Sequence, residues 1–244
     1  MNAWIRAILA ASALVAAAAA RAEQLDAVGG ALVRVESPRD WSLGLRLQTD
    51  SRQFVTGPET RKIQTGHIVL RAGRNALTGL NLWGEIGTAQ AEESSEKAER
   101  GLEWAAGATA RIVQFVLGRT PAGTVADELH IDIDGSYRFV ESNFAEADMT
   151  WGEVRLAPAF VYQINREDEA RWRTYDPSQV ALRAGLVFLQ NEGDYGAESL
   201  EQNRDFGLLL GTSGLWLSGW AVRLDAVLYG GSEHEISLLF ARNF

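Results

Sequence analysis

Three side chains in the stretch LHIDIDGSYRF, residues 129–139, could act together. In an extended chain successive side chains alternate in direction, so His130, Asp132 and Asp134 share one face, about 6.5–7 Å apart from one to the next. A histidine beside two carboxylates could hold a cation or position a water. The same spacing describes a row of charges balanced by arginines on neighbouring strands. That second reading is the better supported, because a fold by itself confers no site. The other histidines add little. His67 is followed by Ile68 and Val69, and His234 by Glu235 and Ile236, so no histidine stands two residues before a serine.

Composition narrows the chemistry further. The chain has no cysteine, which removes disulfides, thiolate metal ligands and cysteine nucleophiles together. The acidic segment AEESSEKAER, residues 91–100, lacks the D-x-D-x-D-G spacing of a calcium loop and reads as a solvated surface. No residue pattern points to a metal or a cofactor. The formal net charge is -9. An acidic chain is a poor binder of polyanions, so nucleic acid is excluded as a partner. Lys62 and Lys97 are the only lysines; every other cationic side chain besides histidine is arginine. Arginine makes planar, bidentate pairs with carboxylates and suits crowded ion-pair networks.

The elements that must position these charges alternate with a period of two. Trp41, Leu43, Leu45 and Leu47 oppose Ser42, Gly44, Arg46 and Gln48. Leu80, Leu82 and Ile86 oppose Asn81, Trp83 and Glu85. Leu102, Trp104, Ala106 and Ala108 oppose Glu103, Gly107, Thr109 and Arg111. Further on, Glu153 and Arg155 oppose Val154 and Leu156, Arg183 opposes Leu182 and Ala184, and Arg223 and Asp225 oppose Val222 and Leu224. Pro158 inside one run predicts a bulge or an irregular pairing there. The charges Arg46, Glu85, Glu103, Arg111, His130, Asp132, Asp134, Arg138, Glu153, Arg155, Arg183, Arg223 and Asp225 all share the polar parity.

A soluble sandwich or barrel buries the apolar face; a membrane barrel turns it to lipid and keeps the polar face inside. Several runs exceed the roughly 5–6 residues usual in globular strands and suit the roughly 9–11 of a tilted span. Trp41, Trp104, Phe139, Trp151, Tyr162 and Tyr229 fall near run ends, where an interfacial girdle would sit.

The N-terminus has a positive Arg6, an apolar stretch from Ile8 to Ala20, and the small-x-small site Ala20-Arg21-Ala22. This is the anatomy of a cleaved secretory signal peptide over residues 1–22. Removing Arg6 and Arg21 leaves 21 cationic residues against 32 acids, so about -11. At the other end the chain closes on EISLLFARNF. Ile236, Leu238, Phe240 and Phe244 alternate toward a terminal Phe, and this ending resembles the last strand of bacterial outer-membrane β-barrels. Arg242 departs from the pattern, since an apolar residue is usual there.

The resemblance implies an all-β fold: an antiparallel transmembrane β-barrel in the outer membrane, surrounded by lipid. It also implies that the barrel assembly machinery reads Ile236, Leu238, Phe240 and Phe244. Single-chain bacterial barrels have even strand counts. The eleven candidate runs are 26–36, 40–49, 62–72, 77–90, 101–118, 128–140, 147–164, 178–190, 204–211, 215–229 and 233–244. Short turns at GRNA (73–76) and TSG (212–214) go to the periplasm. Longer loops at 48–61, 90–101 and 191–205 go outside. That parity gives ten strands, with eight and twelve as the neighbouring counts. It leaves residues 23–38 as a periplasmic or lumen-packed segment and 39–244 as the barrel. A strand hidden in NREDEARWRTYDPSQ (165–179) would raise the count to twelve.

For function, the expectation is a structural or narrow-channel barrel with a charged, ion-paired lumen and no enzymatic role. Barrel phospholipases and lipid A deacylases use a His-x-Ser pair, which is missing. Barrel proteases of the omptin type use Asp pairs and an Asp–His pair, so a hydrolase built on His130, Asp132 and Asp134 is one alternative. A soluble periplasmic β-barrel binding an apolar ligand is the other.

Overall fold

In the computed structural model the described residues are 41–56, 59–77, 79–94, 96–117, 127–145, 147–166, 177–202 and 206–244. The expected signal peptide, the 23–38 segment and the run at 26–36 lie outside them. All regular structure among them is β: β1 (Trp41–Thr56), β2 (Glu59–Leu77), β3 (Leu80–Glu93), β4 (Glu96–Lys97), β5 (Glu99–Val116), β6 (Glu128–Asn143), β7 (Asp148–Asn165), β8 (Gln179–Tyr195), β9 (Glu198–Gln202), β10 (Phe206–Leu215), β11 (Trp220–Gly230) and β12 (Glu233–Asn243).

Ten of these form the wall. Each pairs antiparallel with its neighbour in the order β1-β2-β3-β5-β6-β7-β8-β10-β11-β12, and β12 returns to β1. Closure removes the sheet edges, which would otherwise leave unpaired N–H and C=O groups in lipid. An even count is what lets the first and last strands meet antiparallel. β7 and β8 pair directly, down to Asn165↔Gln179, so no further strand intervenes between them.

The strands differ in length for a reason visible at one end. β10, β11 and β12 have 10 or 11 residues, enough for one tilted span. β1, β2, β5, β7 and β8 run to 16–19 residues and project past the β11–β12 turn. Above that turn β9 takes over the wall. It pairs with β8 through Glu192↔Glu201 to Tyr195↔Glu198, and with β1 at Phe54↔Gln202 and Val55↔Glu201. The turn itself is tight because Gly230 and Gly231 take φ of 96° and 59°.

Several sequence expectations change here. The segments 48–61 and 90–101, expected as outer loops, are mostly strand, and 191–205 supplies the end of β8 and β9. Polar residues alternate there too, but both faces of the chain are polar, so the period-two signal fades. GRNA lies within β2 and TSG within β10; the turns fall later, around Gly79 and at residues 216–219. The strand ends Val116 and Glu128, and Asn165 and Gln179, lie at the end that holds Trp41 and Asn243, so the widest gaps in sequence between wall strands fall on the side where short turns are expected. Pro158 interrupts its pairing without a shift. The β7–β8 ladder runs from Leu156↔Phe188 to Ala159↔Gly185 in unchanged register, because proline has no N–H to donate.

The two faces are inverted relative to a soluble protein. Leu70 is 64% exposed, Ile86 60% and Phe160 60%, within a girth of exposed Leu, Ile, Phe and Trp that includes Leu43, Leu45, Leu82, Leu182, Leu208, Leu224 and Phe240. An apolar belt of that size on a soluble barrel would aggregate; around a closed barrel it is the lipid face. The soluble, ligand-binding alternative falls on this point.

Candidate functional site

The alternation that puts Leu45 and Leu70 outside puts Arg46 and His67 inside, and the interior has three levels. At the end away from the termini it is apolar. Phe54, Ile63, Ala91, Val140, Met149, Trp151 and Leu200 form one buried cluster, with Phe144 against Tyr195. Phe54 on β1 and Trp151 on β7 meet with ring centroids 6.3 Å apart, although β8 and β9 stand between their strands at this level. Trp151 therefore does not belong to a girdle. Neither does Tyr229, which is buried inside with Arg52 over its ring at 5.3 Å. Trp41 and Trp104 are exposed on the outer face.

Below the apolar level lies a dense network of charges. Arg46 pairs with Glu85 at 2.7 Å and Glu103 at 3.2 Å. Arg138 reaches Glu103 at 3.4 Å and donates to Gln48 at 3.1 Å. Arg52 lies 2.9 Å from Glu153 and 3.3 Å from Glu235. Arg155 donates to Glu235 at 2.6 Å, and Tyr229 donates to the same carboxylate at 3.2 Å. Arg71 reaches Glu85 at 3.3 Å and lies over the ring of Trp83 at 4.0 Å. His67 sits between two carboxylates, with Nε2 3.0 Å from Asp50 and Nδ1 2.7 Å from Glu103. A ring with a carboxylate at each nitrogen can donate from both only as the imidazolium. Glu103 is 0% exposed. A carboxylate so placed costs several kcal/mol to desolvate, and the surrounding cations offset that cost.

The third level faces the termini. Arg183 is 2.7 Å from Asp134 and 3.7 Å from Asp225. Arg223 is 2.6 Å from Asp225 and 3.5 Å from Asp134. Thr109 also donates to Asp134. Arg111 lies 3.6 Å from Asp132 and 3.8 Å from Glu128. His130 has Nε2 3.3 Å from Asp132, and the same nitrogen accepts from Arg111 at 3.2 Å. Asp132 and His130 are therefore together, whereas Asp134 is drawn off to Arg183 and Arg223. The His130–Asp132–Asp134 row is divided among three arginines. Among the described residues no three His, Cys, Asp or Glu gather closely enough to hold a metal ion.

Twelve of the thirteen side chains named from sequence thus have a neighbour of opposite charge inside this network, and His130 lies between Asp132 and Arg111. Asp50, Arg52, His67, Arg71 and Glu235 join the network without being among the interior charges expected from sequence. Asp50 and Arg52 continue the parity of Arg46 and Gln48, but they fall in the segment 48–61 that the sequence predicts as a loop. Glu235 was masked by its place in a strand whose other parity carries the terminal pattern. That pattern is placed as follows. Ile236, Phe240 and Phe244 are exposed on the outside, Leu238 is half-buried, and the Phe244 N–H donates to the Trp41 carbonyl at 2.9 Å. Arg242 lies 5.6 Å from the Trp220 ring centroid and 5.3 Å from that of Phe244. Aromatic faces accept a guanidinium, which accounts for a cation where an apolar residue is usual.

No protein-family model matches the chain, and no curated protein matches it in sequence. Solved structures do. The transport unit of the autotransporter AIDA-I from Escherichia coli superposes with a TM-score of 0.50 at 8% identity, over 93% of this chain and 98% of that one. The beta domain of the Bordetella autotransporter Brka matches at 0.44 with 12% identity, covering 83% and 100%. The translocator domain of autotransporter NalP from Neisseria meningitidis matches at 0.40 with 11% identity, covering 96% and 98%. The last two scores are too low to carry an argument, and the first speaks to fold alone. A closed ten-strand wall, an apolar exterior, a charged interior and that shared architecture give this chain the fold of an outer-membrane β-barrel.

Proposed function

We propose that the protein is a sealed outer-membrane barrel with a structural role in the envelope, its lumen held shut by ion pairs. The observation that carries this reading is the set of contacts across the bore. Arg52–Glu153 joins β1 to β7, Arg46–Glu103 joins β1 to β5, Arg138–Gln48 joins β6 to β1, and Arg155–Glu235 joins β7 to β12. Side chains from opposite walls reach one another, and the Phe54–Trp151 layer lies over them. A ten-strand barrel is narrow to begin with, well short of the 16–18 strands that leave an aqueous channel. On this reading the end away from the termini faces outward, residues 1–22 are cleaved on export, and the assembly machinery engages β12.

Planar-bilayer recording tests it. The refolded protein should show no steady conductance, and Glu153→Ala with Arg52→Ala should raise current events above that baseline. A large, stable open state of the unsubstituted barrel would overturn the sealed reading. The hydrolase alternative has a specific obstacle in the geometry. A general base needs a free lone pair, and His130 Nε2 already accepts from Arg111. Hydrolysis of lipid or peptide substrates that vanishes in His130→Gln would favour the alternative all the same.

A further inference from the structure

The outer wall carries a notch where the apolar belt gives way to polar side chains. Three rows of residues run across four strands in register. The first, Leu47–Ile68–Thr88–Leu102, still belongs to the apolar belt. The next row toward the far end contains Thr49, Gly66 and Gln90 on β1, β2 and β3, and Arg100 on β5 lies beside them. The row beyond it contains Gln64, Glu92 and Lys97. Gly66 stands in the middle. A side chain there would meet nothing within 4 Å, so the wall is indented at that point. The resulting cavity measures about 400 Å³.

The charges at the notch are specific to it. Lys97 is one of the two lysines in the chain; the other, Lys62, lies two residues before Gln64 on the same face. Lys97 lies 3.7 Å from Glu92, and Arg100 has an exposed side chain. Gln90 is anchored by its Nε2–H, which donates to the Ala98 carbonyl at 3.0 Å. Two cations and one carboxylate line the space, so the notch is net positive on a chain of net charge -9. Among the described residues most arginines lie in interior pairs, and Arg74 and Arg242 lie over aromatic rings; Lys97 and Arg100 are exposed at the edge of the apolar belt.

We propose that the notch binds the phosphate of a lipid headgroup. Arg100 and Lys97 would hold the phosphate, and Leu47, Ile68 and Leu102 would take the first methylenes of the tails. Continuity with the lipid face selects an anchored phosphate over a free one, because the notch opens onto the apolar row of Leu47 and Ile68, which the tails of an anchored lipid would cover.

Native mass spectrometry of the refolded barrel in detergent tests the assignment. Titration with phosphatidylglycerol should give one retained lipid per barrel, and diacylglycerol with the same tails should not. The loss of two charge-assisted contacts in Arg100→Gln/Lys97→Gln should weaken retention at least about tenfold. Gly66→Leu, which fills the indentation from outside, should do the same while heat-modifiable gel mobility stays unchanged. Equal retention of the two lipids, or retention untouched by both variants, would overturn the proposal. Displacement by free glycerol phosphate at concentrations equal to the lipid's would also overturn it, since the site would then read phosphate without its membrane anchor.

Discussion

Arg52 on β1 meets Glu153 on β7 at 2.9 Å, across the full width of the barrel. Their strands stand opposite one another in the wall, and the side chain of each is 2% exposed. The contact joins two walls that share no backbone hydrogen bonds. It therefore ties the cross-section together as well as filling it.

Removing one partner should be costly. Glu153→Ala leaves Arg52 buried beside Glu235 with one carboxylate fewer, and breaking a buried pair costs about 3–5 kcal/mol. The urea midpoint of the barrel in detergent should fall clearly. Glu96→Ala, at an exposed position, should stay within about 0.5 kcal/mol.

Replacing both partners should behave differently. Arg52→Met with Glu153→Met removes two desolvation costs along with the attraction, so stability should return close to that of the unsubstituted barrel. A double variant as unstable as Glu153→Ala alone would mean that the pair contributes through further contacts, such as Arg52 over Tyr229.

The orientation of the wall has its own test. Leu70→Arg places a cation on the lipid face and should cost about 2–4 kcal/mol near the midplane when folding is measured into vesicles. Leu70→Phe, which keeps the face apolar, should be nearly neutral. Equal tolerance of the two changes would contradict a lipid-facing Leu70.

The C-terminal residue should matter for assembly more than for export. Deleting Phe244 removes the hydrogen bond to Trp41 and one ring beside Arg242. The amount of heat-modifiable barrel in the envelope should drop, while precursor processing continues unchanged. Mass spectrometry of the processed protein should find Glu23 at its N-terminus.

The direction of each side chain on a spanning strand is legible in the sequence. Alternation is local: Leu43, Leu45 and Leu47 against Arg46 and Gln48 can be read without any knowledge of neighbours, and the ten-strand count followed from the parity of the turns. Where both faces are polar, as at residues 48–61, the local signal fades, so the extension of β1 and β2 was missed. The tertiary structure alone decided the partners. Arg52 and Glu153 lie 101 positions apart by subtraction of their numbers, and what brings them together is the closure of β12 on β1 and the register of every pair between. Trp151 and Tyr229 share the parity of Glu153 and Asp225, so their inward direction is local; closure supplies the dry interior that they enter. It also aligns Thr49, Gly66 and Gln90 with Arg100 in a notch that no single strand announces. Direction is a property of one strand; cross-bore pairing is a property of the closed sheet.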